Sequence, residues 1–109
     1  MKDKRIQDFL DSAVKRISAN FDPEKIILFG SFARGDEREG SDVDLLVILE
    51  TKGSLRRKAE EIDNALGDRT VPLDLIVAST EQFERGRITL GSVFQPAAEE
   101  GKVLYARAA

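Results

Sequence analysis

Three aspartates stand where their carboxylates could share a metal ion. Asp42 and Asp44 lie two residues apart at the start of one apolar run, and Asp74 interrupts another. Side chains two apart in a strand share a face, so this pair points the same way, with Cα atoms about 6.5–7 Å apart. If the two runs form neighbouring strands, Asp74 joins the pair. Three clustered carboxylates repel one another, and a divalent cation removes that penalty.

A second group of residues is suited to binding phosphate. Gly30 and Ser31 close the first apolar run, and Arg34 follows one helical turn later. Glycine lets an anion approach the backbone closely, and a helical turn after it would aim amide groups and the Ser31 hydroxyl at that anion. Arg34 could add a charge-assisted contact. Each feature alone is common in structural turns and strand ends, so the prediction depends on their joint occurrence in this order.

Composition narrows the chemistry further. The 109 residues include neither cysteine nor histidine, which excludes Cys/His zinc sites, thiol nucleophiles and a histidine base. A metal held by oxygen alone would be Mg²⁺, Mn²⁺ or Ca²⁺.

The net charge of −3 gives no overall basic field for nucleic acid, which is therefore not expected as a direct acceptor. With neither a signal-peptide pattern nor an apolar stretch of about 20 residues, a cytoplasmic protein is expected.

Apolar periodicity predicts the elements that position these residues. The first segment has the helical period and should end at Asn20–Pro23; its apolar residues are Ile6, Phe9, Leu10, Ala13, Val14 and Ile17. Strands are predicted over 26–29, 42–49, 71–77 and 102–105, and the second is nearly continuously apolar, which is typical of a strand covered on both faces. Ser54 and Ser79 are predicted to cap helices, Gly67 to end the first of these, and 93–100 to form a last helix. The stretch over 85–91 is ambiguous.

The order of these elements predicts an α/β (α+β) fold, in which helices pack on a mixed sheet of three or four strands. A helix between the second and third strands allows a right-handed parallel crossover. About a dozen residues join the first two strands, too few for such a crossover, so these strands should be antiparallel. At this length a single domain over 1–109 is expected. The apolar residues near the C-terminus could belong to the core or to an interface; they are Val93, Phe94, Val103, Leu104 and Tyr105.

The segment GSFARGDEREGSDVDLLV resembles the signature of the DNA polymerase beta-like nucleotidyltransferase superfamily. That signature is Gly-Ser, about ten residues, Asp-x-Asp, and a third Asp on a later strand. Ten residues separate Ser31 from Asp42, and Asp74 in PLDLIV fits the third position. Ala33-Arg34-Gly35 and Ser41-Asp42 look most like the minimal nucleotidyltransferase branch. The resemblance covers the whole chain. Walker-type phosphate loops and haloacid dehalogenase-type phosphatases fit the motifs less well.

The resemblance implies an activity, its cofactors and a partner. It implies two Mg²⁺ ions held by Asp42, Asp44 and Asp74, with Gly30 and Ser31 on the nucleotide phosphates and attack by a hydroxyl on the α-phosphate. It also implies Asp74 as proton acceptor and ATP as donor. Minimal nucleotidyltransferases are often antitoxins paired with helical HEPN-domain toxins, which they adenylylate. The expected function is therefore AMP transfer to a partner protein within a hetero-oligomer. A non-catalytic module that neutralises a partner and a small-molecule (antibiotic-type) nucleotidyltransferase stay open as alternatives.

Overall fold

The computed structural model describes residues 3–67 and 71–108. The elements follow the predicted order, with ends that differ by one or two residues. They are α1 (Lys4–Phe21), β1 (Lys25–Phe29), α2 (Ser31–Arg34), β2 (Val43–Ile48), α3 (Leu55–Leu66), β3 (Leu73–Ala78), α4 (Thr80–Gly86), α5 (Phe94–Glu100) and β4 (Lys102–Ala106). The ambiguous stretch contains the end of α4 and the turns that follow it. No helix in the described ranges has the length and apolar character needed to cross a membrane.

The four strands form one mixed sheet in the order β3-β2-β1-β4. Strands β1 and β2 are antiparallel, which confirms the prediction made from their short connection. Strands β2 and β3 are parallel and α3 lies between them in the chain, which confirms the predicted parallel pairing. The last strand, β4, runs antiparallel to β1 and forms one edge. The mixed sheet with helices packed on it is therefore the architecture that the sequence predicts.

Helices cover both faces of this sheet. The larger core unites α1, α2 and α3 with one face; its buried residues are Ile6, Leu10, Ala13, Ile17, Ile26, Leu28, Phe32, Ala33, Val43, Leu45, Val47, Leu49, Ile62, Leu66 and Val71. The smaller core packs α4 and α5 on the other face, through Ile27, Phe29, Leu46, Ile48, Ala78, Phe83 and Ala97. Residues 45–48 of β2 alternate between the two cores, which explains their continuous apolar character.

Capping residues fix several helix ends. The Ser54 side chain accepts a hydrogen bond from the Arg57 amide and starts α3. Ser79 and Gln82 form the reciprocal capping box that the sequence predicts at the start of α4. Gly67 ends α3 with φ +69°.

The apolar residues near the C-terminus divide between the core and the surface. Phe94 packs against the smaller core, and Leu104 and Tyr105 pack against the larger one. Val93 and Val103 are exposed at 44% and 56%.

Candidate active site

The parallel pairing of β2 and β3 places Asp44 directly opposite Asp74. Val43, one residue earlier, is fully buried in the larger core, so alternation turns Asp44 to the other face, which it shares with Leu46. Asp44 is half-buried and Asp74 is exposed. Asp42 lies just before β2, where it is exposed on the loop that leads into the strand. The structure thus brings two of the predicted aspartates side by side and holds the third at the strand entrance.

The backbone of Gly30 lies directly beside the Asp44 carboxylate. Phe29, the last residue of β1, pairs with Asp44 across the sheet, and the chain then turns at Gly30 with φ +75° and ψ −156°. A Cβ atom at position 30 would overlap Asp44 Oδ2 and stand 3.0 Å from Asp44 Cγ. Position 30 therefore requires glycine for two reasons. Its backbone conformation is one that L-residues avoid, and the Asp44 carboxylate occupies the space that a side chain would need.

The single turn of α2 starts at once after Gly30. The Gly30 carbonyl accepts hydrogen bonds from the Ala33 and Arg34 amides, each at 3.1 Å. The turn ends at Gly35, which has φ +81° and donates to the Ser31 carbonyl at 2.9 Å. The first amides of such a turn have no i−4 carbonyl to bind, and a nearby anion can accept from them. The predicted turn after Ser31 is confirmed, next to the aspartates.

Asp44 is surrounded by negative charge. Burial raises the pKa of its carboxyl above the usual value, and the charges of Asp74 and Asp42 raise that pKa further. A hydrogen bond between the Asp44 and Asp74 carboxyl groups acts in the same direction, while the positive charge of Arg34 opposes it. Asp44 therefore interacts with both neighbouring carboxylates, and a cation beside Asp44 would relieve that repulsion.

As they stand, the aspartates are not a ready-made metal site. Over residues 3–67 and 71–108, no three or more acidic side chains converge closely enough to hold one ion. The chemistry of the donors nevertheless suits magnesium, which prefers carboxylate oxygens and keeps several of its water ligands. Asp44 and Asp74 supply such oxygens side by side.

Arg34 is bound to two carboxylates. Its Nε donates to Asp36 Oδ2 at 3.1 Å, and its Nη1 donates to Glu100 Oε2 at 3.4 Å. The hydrogen bond and charge of Asp36, followed by those of Glu100, raise the pKa of Arg34 above its ordinary value. Sequence reasoning placed Arg34 near the site but missed Glu100, which is 66 residues away in the chain. Only the folding of α5 onto the sheet brings the two together.

The sequence is similar to those of several known proteins. Residues 10–100 match the family model of the nucleotidyltransferase domain. The chain is 33% identical to "Putative protein adenylyltransferase MJ0604" of Methanocaldococcus jannaschii, over 95% of this chain and 98% of that protein. It is 34% identical to "Protein adenylyltransferase MntA" of Thermococcus cleftensis, over 71% of this chain and 78% of that protein.

Two solved structures share the fold. One is described as a putative nucleotidyltransferase from Sulfolobus solfataricus; it superposes with a TM-score of 0.67 at 19% identity and covers 94% of this chain and 84% of its own. The other is a toxin–antitoxin structure with AMP-PNP, at a TM-score of 0.52 and 20% identity, covering 98% of this chain and 75% of its own. At these identities the likeness concerns the fold.

Proposed function

Because this chain belongs to the nucleotidyltransferase domain family, we propose that it transfers AMP from ATP to a hydroxyl group on a partner protein. The observation that carries the proposal is the apposition of Asp44 and Asp74 on neighbouring parallel strands, with the Gly30 backbone against Asp44. Relatives that cover most of the chain are named protein adenylyltransferases, which supports AMP as the group and protein as the acceptor.

In this proposal Asp42, Asp44 and Asp74 hold two Mg²⁺ ions. The fit rests on their all-oxygen chemistry and on the mutual repulsion that raises the pKa of Asp44. Asp42 is exposed on the loop before β2 and would move toward the other two when the ions bind. When bound, magnesium would lower the pKa of the attacking hydroxyl and stabilise the negative charge that develops on the phosphates.

The turn after β1 would hold the donor phosphates. Gly30 lacks a side chain, so the β- and γ-phosphates can approach the backbone, and the amide and hydroxyl of Ser31 can donate to them. Arg34 would supply a positive charge at the other end of the same turn. These contacts fix the triphosphate so that its α-phosphate faces the aspartates.

The reaction is a displacement at the α-phosphorus. The acceptor oxygen forms a bond to this phosphorus, the bond from phosphorus to the oxygen bridging the β-phosphate breaks, and pyrophosphate leaves with that electron pair. Asp74 would take the proton of the acceptor hydroxyl, since it is exposed beside Asp44 and the chain has no histidine. Nothing in this step needs an oxidant or a reductant.

The partner proposed is a HEPN-domain protein, bound to this chain as the toxin of a toxin–antitoxin pair. The similarity to named protein adenylyltransferases supports a protein acceptor, and one solved structure of the same fold belongs to a toxin–antitoxin complex.

The test is label transfer to a purified HEPN-domain protein encoded beside this chain. With Mg²⁺ and ATP labelled at the α-phosphate, the partner should become labelled; with ATP labelled at the γ-phosphate it should not. Asp44→Asn and Asp74→Asn should abolish transfer, whereas Asp8→Asn, an exposed aspartate on α1, should leave it intact. Failure to label any partner, or full activity of Asp44→Asn, would contradict the proposal.

The same variants separate the two alternatives. A binding module would still neutralise its partner in cells after Asp44→Asn, because complex formation needs no chemistry. A small-molecule enzyme would label a free aminoglycoside in the absence of any second protein.

A further inference from the structure

Arg34 joins the predicted phosphate turn to the end of α5. Asp36, which binds its Nε at 3.1 Å, follows two residues later in the same loop. Glu100, which binds its Nη1 at 3.4 Å, is the last residue of α5. One contact is therefore local, while the other is longer and joins elements that are distant in sequence.

The position of Glu100 is fixed by the packing of the residue after it. Gly101 lies so close to the Ala97 carbonyl oxygen and the Ile27 side chain that a Cβ atom there would overlap both. The Gly101 amide also donates to the Ala97 carbonyl at 3.1 Å. The end of α5 therefore packs closely against Ile27 of β1, three residues before Gly30. This packing places Glu100 beside the turn of α2.

The two carboxylates take N–H groups on two of the three Arg34 nitrogens to which a phosphate would bind. A guanidinium binds phosphate best through two parallel N–H groups from adjacent nitrogens, which are either Nε with Nη2 or Nη1 with Nη2. Asp36 engages one nitrogen of the first pair and Glu100 one nitrogen of the second. A phosphate that takes a forked contact must therefore share a nitrogen with one carboxylate, and the longer contact, to Glu100, is the weaker of the two.

We propose that Glu100 competes with the nucleotide phosphates for Arg34 and thereby lowers the affinity of the site for nucleotide. This inference rests on the proposed function, which assigns Arg34 to phosphate. Glu100 acts through Arg34 and is a positioning residue. Its negative charge repels the triphosphate as well, so its removal should tighten nucleotide binding.

Calorimetry with the non-hydrolysable analogue AMP-PNP and Mg²⁺ tests the inference. Exposed ion pairs are worth little, so Glu100→Gln should lower Kd by only about two- to fivefold. Glu99→Gln is the matched control, because it removes the same charge from the neighbouring exposed residue of α5. In an Arg34→Gln background, Glu100→Gln should change the Kd for AMP-PNP no more than Glu99→Gln does, because the guanidinium for which Glu100 competes is absent. With AMP, which has one phosphate, the decrease in Kd caused by Glu100→Gln should be smaller.

The outcomes separate this inference from the proposed function. If the wild type binds AMP-PNP and Glu100→Gln binds no tighter than Glu99→Gln, or gains as much without Arg34, the inference fails and the proposed function stands. If the wild type binds no nucleotide, both fail. In the transfer assay, Glu100→Gln should lower KM for ATP with kcat unchanged, and Glu100→Asp, which keeps the charge, should stay near the wild-type KM. Thermal unfolding should show that all variants are folded.

Discussion

Replacing Gly30 with alanine tests whether the turn after β1 is built around the Asp44 carboxylate. The added Cβ meets two obstacles. The backbone at position 30 has φ +75° and ψ −156°, in a region essentially restricted to glycine. The atom would also overlap Asp44 Oδ2 and stand 3.0 Å from Asp44 Cγ, so the Asp44 side chain would have to rotate away from its position beside Asp74.

The two obstacles can be measured separately, because Gly67 offers a matched position. Gly67 has nearly the same backbone, φ +69° and ψ −161°, but among residues 3–67 and 71–108 the nearest atom to its added Cβ is Arg16 Nη1 at 3.8 Å. Gly67→Ala should therefore cost only the backbone strain, about 1–3 kcal/mol. Gly30→Ala should cost that and about 1–3 kcal/mol more for the overlap with Asp44.

Urea unfolding of the single and double variants gives these free energies. When Asp44 is first replaced by alanine the carboxylate is gone, so adding Gly30→Ala should cost no more than Gly67→Ala does. The coupling between positions 30 and 44 should accordingly be about 1–3 kcal/mol. In the transfer assay Gly30→Ala should reduce activity by about 100-fold, since it displaces Asp44 and the phosphate-binding backbone together.

Two results would refute this reasoning. One is a Gly30→Ala protein as stable as Gly67→Ala, which would mean that the carboxylate does not occupy the space beside Gly30. The other is a double variant with Asp44→Ala in which the extra cost persists, since the obstacle would then be something other than this side chain.

Three further predictions concern charge and capping. Folding raises the pKa of Asp44. The stability that this group contributes is therefore present at low pH and is lost as the pH rises through the raised pKa. In thermal unfolding measured from about pH 4 to about pH 7, the Asp44→Asn variant should not show that loss. Mg²⁺ should raise the Tm of the wild type, as only the folded state assembles the site, and should leave that of an Asp44→Asn, Asp74→Asn double variant unchanged in the same assay. Ser79→Ala, which breaks the capping box with Gln82, should lower the free energy of unfolding by about 1 kcal/mol in urea, with unchanged nucleotide binding.

Much of the fold could be predicted because it is encoded by local signals. The amphipathic period predicts α1, and the helix caps at Ser54 and Ser79 depend on residues within one turn. The antiparallel pairing of β1 and β2 follows from the length of their connection, and the parallel pairing of β2 and β3 from the helix between them. The placement of Asp44 beside Asp74 follows from this topology.

What could not be predicted depends on contacts between distant parts of the chain. The ion pair between Arg34 and Glu100 exists because α5 folds back onto β1, and no local pattern indicates that approach. Ile88 and Leu90 lie in the stretch that was ambiguous from sequence, and their side chains are exposed at 82% and 89%, which apolar residue type alone does not predict. Asp42 lies one residue outside β2 because the strand ladder begins at Val43, and strand ends are poorly defined by hydrophobicity alone.

Strand β2 shows how the core determines the geometry of the site. Its residues alternate, so the burial of Val43 and Leu45 in the larger core fixes the side to which Asp44 points. A slip of one residue would place the carboxylate in that core and turn both apolar side chains to the opposite face of the sheet. Each of these burials stabilises the fold by about 1.5–3 kcal/mol, which offsets the repulsion that Asp44 meets from the neighbouring aspartates. The fold therefore holds the charged residues in register through apolar packing on the opposite face, before any ligand binds.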